Sequence, residues 1–226
     1  MSDPEPQIAT PEPRPSSHPA IAGREDSMDA LADTVRRLID LVVTCDVPDD
    51  LARSVQAELQ SACERLEPSR SDPPHPRFVL RPGNGPTTMV DSMPYDVVIG
   101  PYNPLALPVT IELEPPKAVG RATFTTPYEG APGWVHGAVI AGAFDIVLTA
   151  ANRLQSSAGP TTSLALRFLK PTLLHEEARF EAWIEQIRGN RITSRGQLIQ
   201  KDRVTVEAEG EFAVVDPKLM GLPGRL

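Results

Sequence analysis

The 226-residue chain has little of several residue types on which common functions depend. It holds only two cysteines, Cys45 and Cys63, so we expect two packed thiols rather than a disulfide framework. The four histidines lie at His18, His75, His136 and His175. This scatter predicts no zinc site. No apolar run approaches the roughly 20 residues of a membrane span, so we expect no membrane partner.

Positive charge is also in short supply. The 22 lysines and arginines stand against 30 aspartates and glutamates, for a net charge of −8. The acidic excess lies in residues 1–75, whereas residues 76–226 are balanced. Without a basic patch or stripe, we expect no nucleic-acid partner. The sequence starts without a basic segment followed by an apolar one, which favours a cytoplasmic location over secretion.

Proline is abundant instead, with 25 residues, and its distribution helps to divide the chain. The predicted segments are residues 1–26, 27–68, 69–90 and 91–217. The first is acidic and proline-rich without apolar periodicity, which predicts a disordered tail. The second carries two amphipathic stripes around a turn at Pro48, which predicts a helical hairpin with Ser27 as N-cap. The third predicts a proline-rich linker with a short strand at 77–80.

The last segment alternates apolar and polar residues in the manner of antiparallel strands. The apolar positions that share strand faces are Ile111, Leu113, Ala122, Phe124, Leu164, Leu166, Phe168, Phe180, Ala182, Ile184, Val204, Val206, Ala208, Gly210 and Phe212. One long apolar helix between residues 137 and 152 interrupts these strands. By periodicity alone, the fold class is α+β with a mainly antiparallel sheet.

The segment 130–152 carries the strongest functional signal. Two glycines and a proline precede His136 and act as a turn, so Gly137 and Ala138 fall in the first helical turn. Backbone N–H groups there lack intrahelical partners and, aided by the helix dipole, can hold an oxyanion. Asp145 follows two turns later among alanines and glycines, where a charge costs free energy unless it is paired or used. The same pattern also fits a buried helix whose Asp145 faces water and whose His136 is only a cap.

This segment resembles the signature of the hotdog-fold acyl-CoA thioesterases of the PaaI-like branch. In that signature His-Gly-Gly begins a helix, and an Asp follows nine positions after the histidine, as Asp145 follows His136 here. The stretch 161–171, TTSLALRFLKP, is similar to the family's next strand. The resemblance is closest to the THEM-type enzymes and covers about residues 91–216. Ala138 replaces the second glycine of the family pattern and adds a methyl group near the thioester.

The resemblance implies a hotdog fold, in which an antiparallel sheet wraps around one long helix, here preceded by the helical hairpin. It implies a homodimer or a tetramer with active sites where two sheets join. His136, Gly137 and Ala138 of one chain would form an oxyanion hole, and Asp145 of the other would act as base or nucleophile. Thr161 matches the residue that helps hold the attacking water. The resemblance implies no cofactor other than coenzyme A, which is part of the substrate.

Residues for binding coenzyme A are carried over from the same family by position. Arg167, Asn190 and Arg195 match substrate-contacting positions in THEM-type enzymes. Arg191 and Lys170 are neighbours that can pair with phosphate. The alternative for each residue is an ordinary polar side chain on a solvated hairpin.

The sequence therefore predicts an enzyme of fatty acid metabolism that hydrolyses acyl-CoA to a free acid and coenzyme A. Two alternatives stay open. One is a hotdog enoyl-thioester hydratase or dehydratase, although the Asp-x4-His form of those enzymes is not found in the chain. The other is a non-catalytic acyl-CoA binder that uses the N-terminal hairpin for a partner.

Overall fold

The computed structural model describes residues 18, 20–72, 89–154 and 159–214. The helices are α1 Glu25–Thr44, α2 Asp49–Leu66, α3 Met89–Ser92 and α4 Gly137–Arg153, with 3-10 turns at Glu67–Ser69 and Thr126–Tyr128. The strands are β1 Val109–Glu114, β2 Lys117–Thr123, β3 Thr161–Phe168, β4 Glu177–Arg188, β5 Arg191–Gln200 and β6 Arg203–Ala213. The strand predicted at 77–80 lies outside the described residues. Within the described ranges, no helix has the length and apolar character needed to cross a bilayer.

The six strands form one antiparallel sheet in the order β1-β2-β4-β5-β6-β3. The long helix α4 packs on one face of this sheet, and two further helices precede the domain. β3 follows α4 in the chain but lies beyond β6, so β1 and β3 are the two edge strands. These features confirm the predicted α+β class and the hotdog-like arrangement of a sheet packed on one long helix.

The core lies between α4 and the inner face of the sheet. Side chains alternate along each strand, and the buried residues of β5 are Ile192, Ser194, Gly196, Leu198 and Gln200. The Phe144 ring of α4 stands edge-on to Phe180 of β4, with ring centroids 5.1 Å apart. Gly196 makes room for that ring, because a Cβ there would lie 3.1 Å from Phe144 Cε1 and 2.9 Å from the Glu181 carbonyl oxygen. A small residue in the sheet therefore lets α4 lie close to the strands.

The first half of α1 packs against the domain. Ala32 is buried, and the Arg36 guanidinium donates to the backbone carbonyls of Pro101 and Asn103. Because Arg36 satisfies two loop carbonyls at once, it ties α1 to the loop that precedes β1.

The N-terminal end of α1 differs from its prediction. The helix begins at Glu25 with Arg24 at the cap position, so the prediction of Ser27 as N-cap is wrong. Ser27 lies inside the first turn, where its hydroxyl donates to the Arg24 carbonyl at 3.0 Å. A turn that ends at Gly23, whose φ is 74°, reverses the chain earlier than the polar pattern indicates.

Packed residues also occur ahead of α1. His18 and Ile21 are fully buried, and the His18 ring stands edge-on to Tyr95 with centroids 5.3 Å apart. These two residues fall in the segment predicted as a disordered tail, yet they are part of the packed structure. The domain boundaries themselves stay predictions.

α2 buries none of its residues. From residue 41 to residue 72 every side chain is exposed except Val55 and Ser71, which are half-buried. We call residues 41–72 the arm. In the described part of the chain, nothing covers the apolar stripe of α2.

Candidate active site

α4 begins at a histidine cap. His136 has extended backbone (φ −63°, ψ 134°), and its Nδ1 accepts the Ala138 N–H at 3.0 Å. The His136 carbonyl accepts the N–H groups of Val139 and Ile140 at 3.0 and 3.3 Å. Among the described residues, the Gly137 N–H has no acceptor within hydrogen-bonding distance. The helix start thus has one N–H directly available, and a second, at Ala138, that a ligand must take over from His136.

The loop before α4 is closed on itself, which determines where His136 lies. The His136 N–H donates to the Tyr128 carbonyl at 2.8 Å, and the Gly130 N–H donates to the Trp134 carbonyl at 2.8 Å. Gly130 has no room for a side chain, because a Cβ there would lie 2.9 Å from His136 Cα. Burial raises the pKa of Tyr128, against the opposing effect of Arg36. The phenol therefore stays neutral at neutral pH and forms an uncharged wall beside the loop.

Phe168, the last residue of β3, lies against the first turn of α4. A Cβ at Gly137 would lie 3.2 Å from Phe168 Cζ, so only glycine fits there without moving the ring. The sequence interpretation placed Phe168 with Leu164 and Leu166 on one strand face and gave it no role at the site. The structure leaves it 55% exposed at the helix start. In the sequence, the only indication that Phe168 lies at the site was its position just before Leu169-Lys170-Pro171, in the stretch that resembles the family strand.

Asp145 is half-buried in the middle of α4. Its Oδ1 accepts a hydrogen bond from the Thr161 hydroxyl at 2.6 Å, and Thr161 is the first residue of β3. In the described ranges, no lysine, arginine or histidine forms an ion pair with this carboxylate. Thr161 therefore orients one carboxylate oxygen and leaves Oδ2 without a protein donor among the described side chains.

The two parts of the site are well separated within one chain. An α-helix rises about 1.5 Å per residue, so Asp145 lies about 12 Å along the axis from Gly137. One carbonyl group cannot contact both. The Asp145 carboxylate faces the start of β3, an edge strand. Five of the eight β3 positions are exposed and the other three are half-buried.

Comparison with known proteins identifies the family. A family model described as the thioesterase superfamily matches residues 132–207, from the loop before α4 into β6. The thioesterase superfamily protein RHA08564, known from a crystal structure, has 30% sequence identity to this chain. The alignment covers 88% of this chain and 97% of that protein, with a TM-score of 0.72. The chain belongs to the thioesterase superfamily.

Other solved members of the superfamily align with a smaller part of this thioesterase superfamily chain. Zebrafish thioesterase superfamily member 2 is 15% identical over 48% of this chain and 82% of its own, with a TM-score of 0.45. PaaI of Escherichia coli is 15% identical over 49% of this chain and 81% of its own, with a TM-score of 0.46. No curated protein sequence matches the chain. The 30% identity with RHA08564 confirms the predicted thioesterase superfamily.

The structure does not bring the five predicted substrate-binding residues of this superfamily member together. Arg167, Arg191 and Arg195 occupy exposed positions along the outer face of the sheet, on the side opposite to α4. Asn190 lies in the β4–β5 turn, at the same end of the sheet as the start of β3. Lys170 is exposed in the loop after β3. Their roles in binding coenzyme A stay predictions.

Each of the three arginines faces a carboxylate. The ion pairs are Arg195 to Glu185 (2.6 Å) and to Glu209 (3.1 Å), Arg191 to Glu211 (3.8 Å) and Arg167 to Glu207 (3.8 Å). Two of these arginines, Arg167 and Arg195, border a groove of about 500 Å³ on the outer face, together with Trp183. A phosphate that bound there would compete with the glutamates for the same guanidinium groups.

An apolar cavity of about 990 Å³ lies elsewhere, between α1, β1 and the C-terminal end of α4. Its walls include Ala150, Val109, Ile111 and Leu113, and none of the predicted site residues lines it. Ala150 is roughly 140° around the helix from Asp145, so the cavity and the carboxylate lie on different sides of α4. Among the described residues, no group of three His, Cys, Asp or Glu side chains is arranged to hold a metal ion.

Proposed function

We propose that this thioesterase superfamily protein hydrolyses acyl-CoA thioesters to a free acid and coenzyme A. The observation that carries this proposal is the Asp145 carboxylate, half-buried in α4, held at one oxygen by Thr161 and free of cationic partners in the described ranges. A carboxylate in that setting is available as a base or nucleophile. The membership of the superfamily supports thioester hydrolysis as the reaction class.

The active enzyme is proposed to be a dimer, or a tetramer built from dimers. Gly137 and Asp145 of one chain are about 12 Å apart along α4, too far to act on one carbonyl carbon. A second copy can close that gap if two helices run antiparallel, because the start of one then lies beside the middle of the other. The exposed edge strand β3, which carries Thr161, is suited to pair with the same strand of the second copy.

The chemistry requires few groups. Asp145 takes a proton from a water molecule as the water oxygen bonds to the thioester carbon. The resulting oxyanion accepts the N–H of Gly137 and takes over the Ala138 N–H from His136 Nδ1. The C–S bond then breaks, the carbonyl re-forms, and the thiolate of coenzyme A takes up the proton that Asp145 had accepted. In the alternative, Oδ2 attacks the carbonyl directly and the C–S bond breaks with loss of the coenzyme A thiolate. Water then hydrolyses the resulting acyl-aspartyl anhydride.

The remaining features belong to the same proposal. Arg167, Lys170, Asn190, Arg191 and Arg195 are proposed to contact the nucleotide part of coenzyme A. Their supporting observation is charge: the three arginines line one face of the sheet, and phosphates are strong acceptors for guanidinium groups. A cytoplasmic location and a role in fatty acid metabolism stay predictions from the sequence.

Replacing the carboxylate tests the mechanism. Asp145→Asn keeps the shape and one acceptor but removes the base, and we expect kcat to fall by about 10²–10⁴-fold with unchanged folding. Asp202→Asn is the matched control, because it makes the same chemical change in an exposed turn where φ is 57°, a conformation that asparagine tolerates. Rates are measured on a panel of saturated acyl-CoAs by release of free thiol.

Adding enoyl-CoAs to this panel, and following both thiol release and hydration, separates the alternatives. A hydratase would act on enoyl-CoA without releasing thiol, and a non-catalytic binder would bind acyl-CoA and change neither substrate. An Asp145→Asn enzyme with the wild-type rate of thiol release would contradict the proposed mechanism.

A further inference from the structure

Gln200, the last residue of β5, is 5% exposed and carries an amide that needs hydrogen-bond partners. Its Oε1 accepts the Leu173 N–H at 2.8 Å. Its Nε2 donates to the carbonyls of Leu173 and Glu176 at 3.0 and 3.3 Å. One side chain thus satisfies both backbone polar groups of Leu173, as a neighbouring strand would.

Leu173 lies in segment 172–174, which pairs with residues 133–135 in front of α4. The Val135 N–H donates to the Thr172 carbonyl (2.8 Å), and the Leu174 N–H donates to the Gly133 carbonyl (3.1 Å). Between these two hydrogen bonds, Trp134 and Leu173 form an antiparallel bridge. His136 follows directly after residue 135. The position of this short ladder therefore sets where α4 begins.

Apolar packing contributes little to holding the middle of this ladder. Trp134 is 46% exposed and Leu173 is 36% exposed, so neither central side chain is anchored in the core. Val135 and Leu174, at the ends of the ladder, are buried in the core, and its middle is held instead by the buried polar groups behind it. They are Gln200 and the contact between the hydroxyls of Thr172 and Thr205, 3.0 Å apart. Gln200 is the member that bonds directly to the residue opposite Trp134.

We propose that Gln200 is a positioning residue for the oxyanion hole, acting through Leu173 and the loop at 133–135 on the N–H groups of Gly137 and Ala138. The inference rests on the proposed thioesterase function. Because an oxyanion forms only in the transition state, misplacing its donors slows the chemical step and leaves substrate binding nearly unchanged. A shift of about 1 Å at such a site can cost 10²-fold in rate.

The test is Gln200→Met in the full-length protein, since methionine has a similar volume and none of the three hydrogen bonds. We expect kcat for acyl-CoA to fall about 10- to 100-fold, with KM within about threefold of wild type. Amide hydrogen exchange should speed up at residues 133–135 and 172–174 but not in the middle of α4. Gln186→Met is the matched control, because Gln186 is exposed on β4, and its kinetics should match wild type.

A second variant keeps the test decisive if methionine prevents folding. In Gln200→Glu only the protonated carboxyl can accept from the Leu173 N–H and also donate to its carbonyl. Its kcat relative to wild type should therefore rise as the pH is lowered. A Gln200→Met enzyme with wild-type kcat, or one that loses activity only through KM, would overturn the positioning role. The Asp145→Asn result separates the two proposals: if that variant is inactive while Gln200→Met is unaffected, only the inference about Gln200 fails.

Discussion

Two helices of nearly equal length, α4 with 17 residues and α2 with 18, differ completely in their surroundings. α4 has nine buried residues, whereas α2 has none. A carboxylate in α4 must therefore be oriented or used, as Asp145 is by Thr161. Charges on α2 cost nothing because they are solvated. A charged residue on a helix is therefore informative about function only when that helix is known to be packed against the rest of the protein.

Ion pairs show the same contrast. Asp49 and Arg53 pair on α2 with most of both side chains in water, so their attraction is screened. On the sheet, the Glu181 side chain is only 7% exposed. It is paired with Lys117 at 2.5 Å and with Arg179 at 2.9 Å. An equal count of ion pairs in the two regions therefore does not mean equal stabilisation.

The largest expected effect on the free energy of unfolding comes from a substitution in the core under α4. Phe144→Ala removes a fully buried ring that packs on Phe180, and we expect the free energy of unfolding to fall by about 3–5 kcal/mol. Leu59→Ala on the stripe of α2, where the side chain is 38% exposed, should change it by no more than about 0.5 kcal/mol. Denaturant unfolding of both variants measures the difference. A loss of about 2 kcal/mol for Leu59→Ala would mean that the arm is packed in solution.

A smaller effect is expected from the buried ion pair. Glu181→Gln should lower the free energy of unfolding by about 2 kcal/mol at pH 7, because the lost hydrogen bonds involve charged groups. Asp49→Asn on α2 should cost about 0.5 kcal/mol or less. Chemical denaturation at pH 7 compares the two, and equal costs would contradict the distinction between the regions.

The pH dependence sharpens this test. The hydrogen bond from Lys117 lowers the pKa of Glu181, burial opposes that shift, and the nearby Arg179 charge assists it. A lowered folded-state pKa means that the stabilisation is complete above the unfolded value of about 4.3 and is lost as the pH falls through the folded value. The difference in free energy of unfolding between wild type and Glu181→Gln should therefore become smaller below about pH 4.

The smallest expected effect concerns coenzyme A. Changing both Arg191 and Arg195 to alanine should raise KM for acyl-CoA about 10-fold with kcat nearly unchanged, because remote phosphate contacts contribute to ground-state binding. Use of a pantetheine thioester, which lacks the nucleotide, should be unaffected. Changing Arg53 and Arg65 of α2 to alanine is the matched control and should alter neither substrate. An equal loss on both substrates would mean that Arg191 and Arg195 act structurally.

Local signals were sufficient for much of the fold and part of the site. The turn before His136 and the apolar periodicity that follows predict α4, and alternation predicts the strands on either side. Thr161 was named only through the resemblance to a family, as a residue that helps hold the attacking water, and its contact with Asp145 was not predicted. The hydrogen bonds between Gln200 and Leu173 could not be anticipated, because the two residues are 27 positions apart and a polar residue at a strand end has no local signature.

The amino-acid sequence by itself determined the long helices and most strands, where α4 starts and that its one carboxylate lies two turns inside it. Those properties depend on periodicity and on neighbours a few residues apart. Only the tertiary structure decided that α2 stays exposed and that Phe168 lies against Gly137. It also decided that the outer-face arginines pair with glutamates. These outcomes depend on strand order and register, which bring distant residues together by closing the sheet around α4, and no short stretch of sequence specifies that.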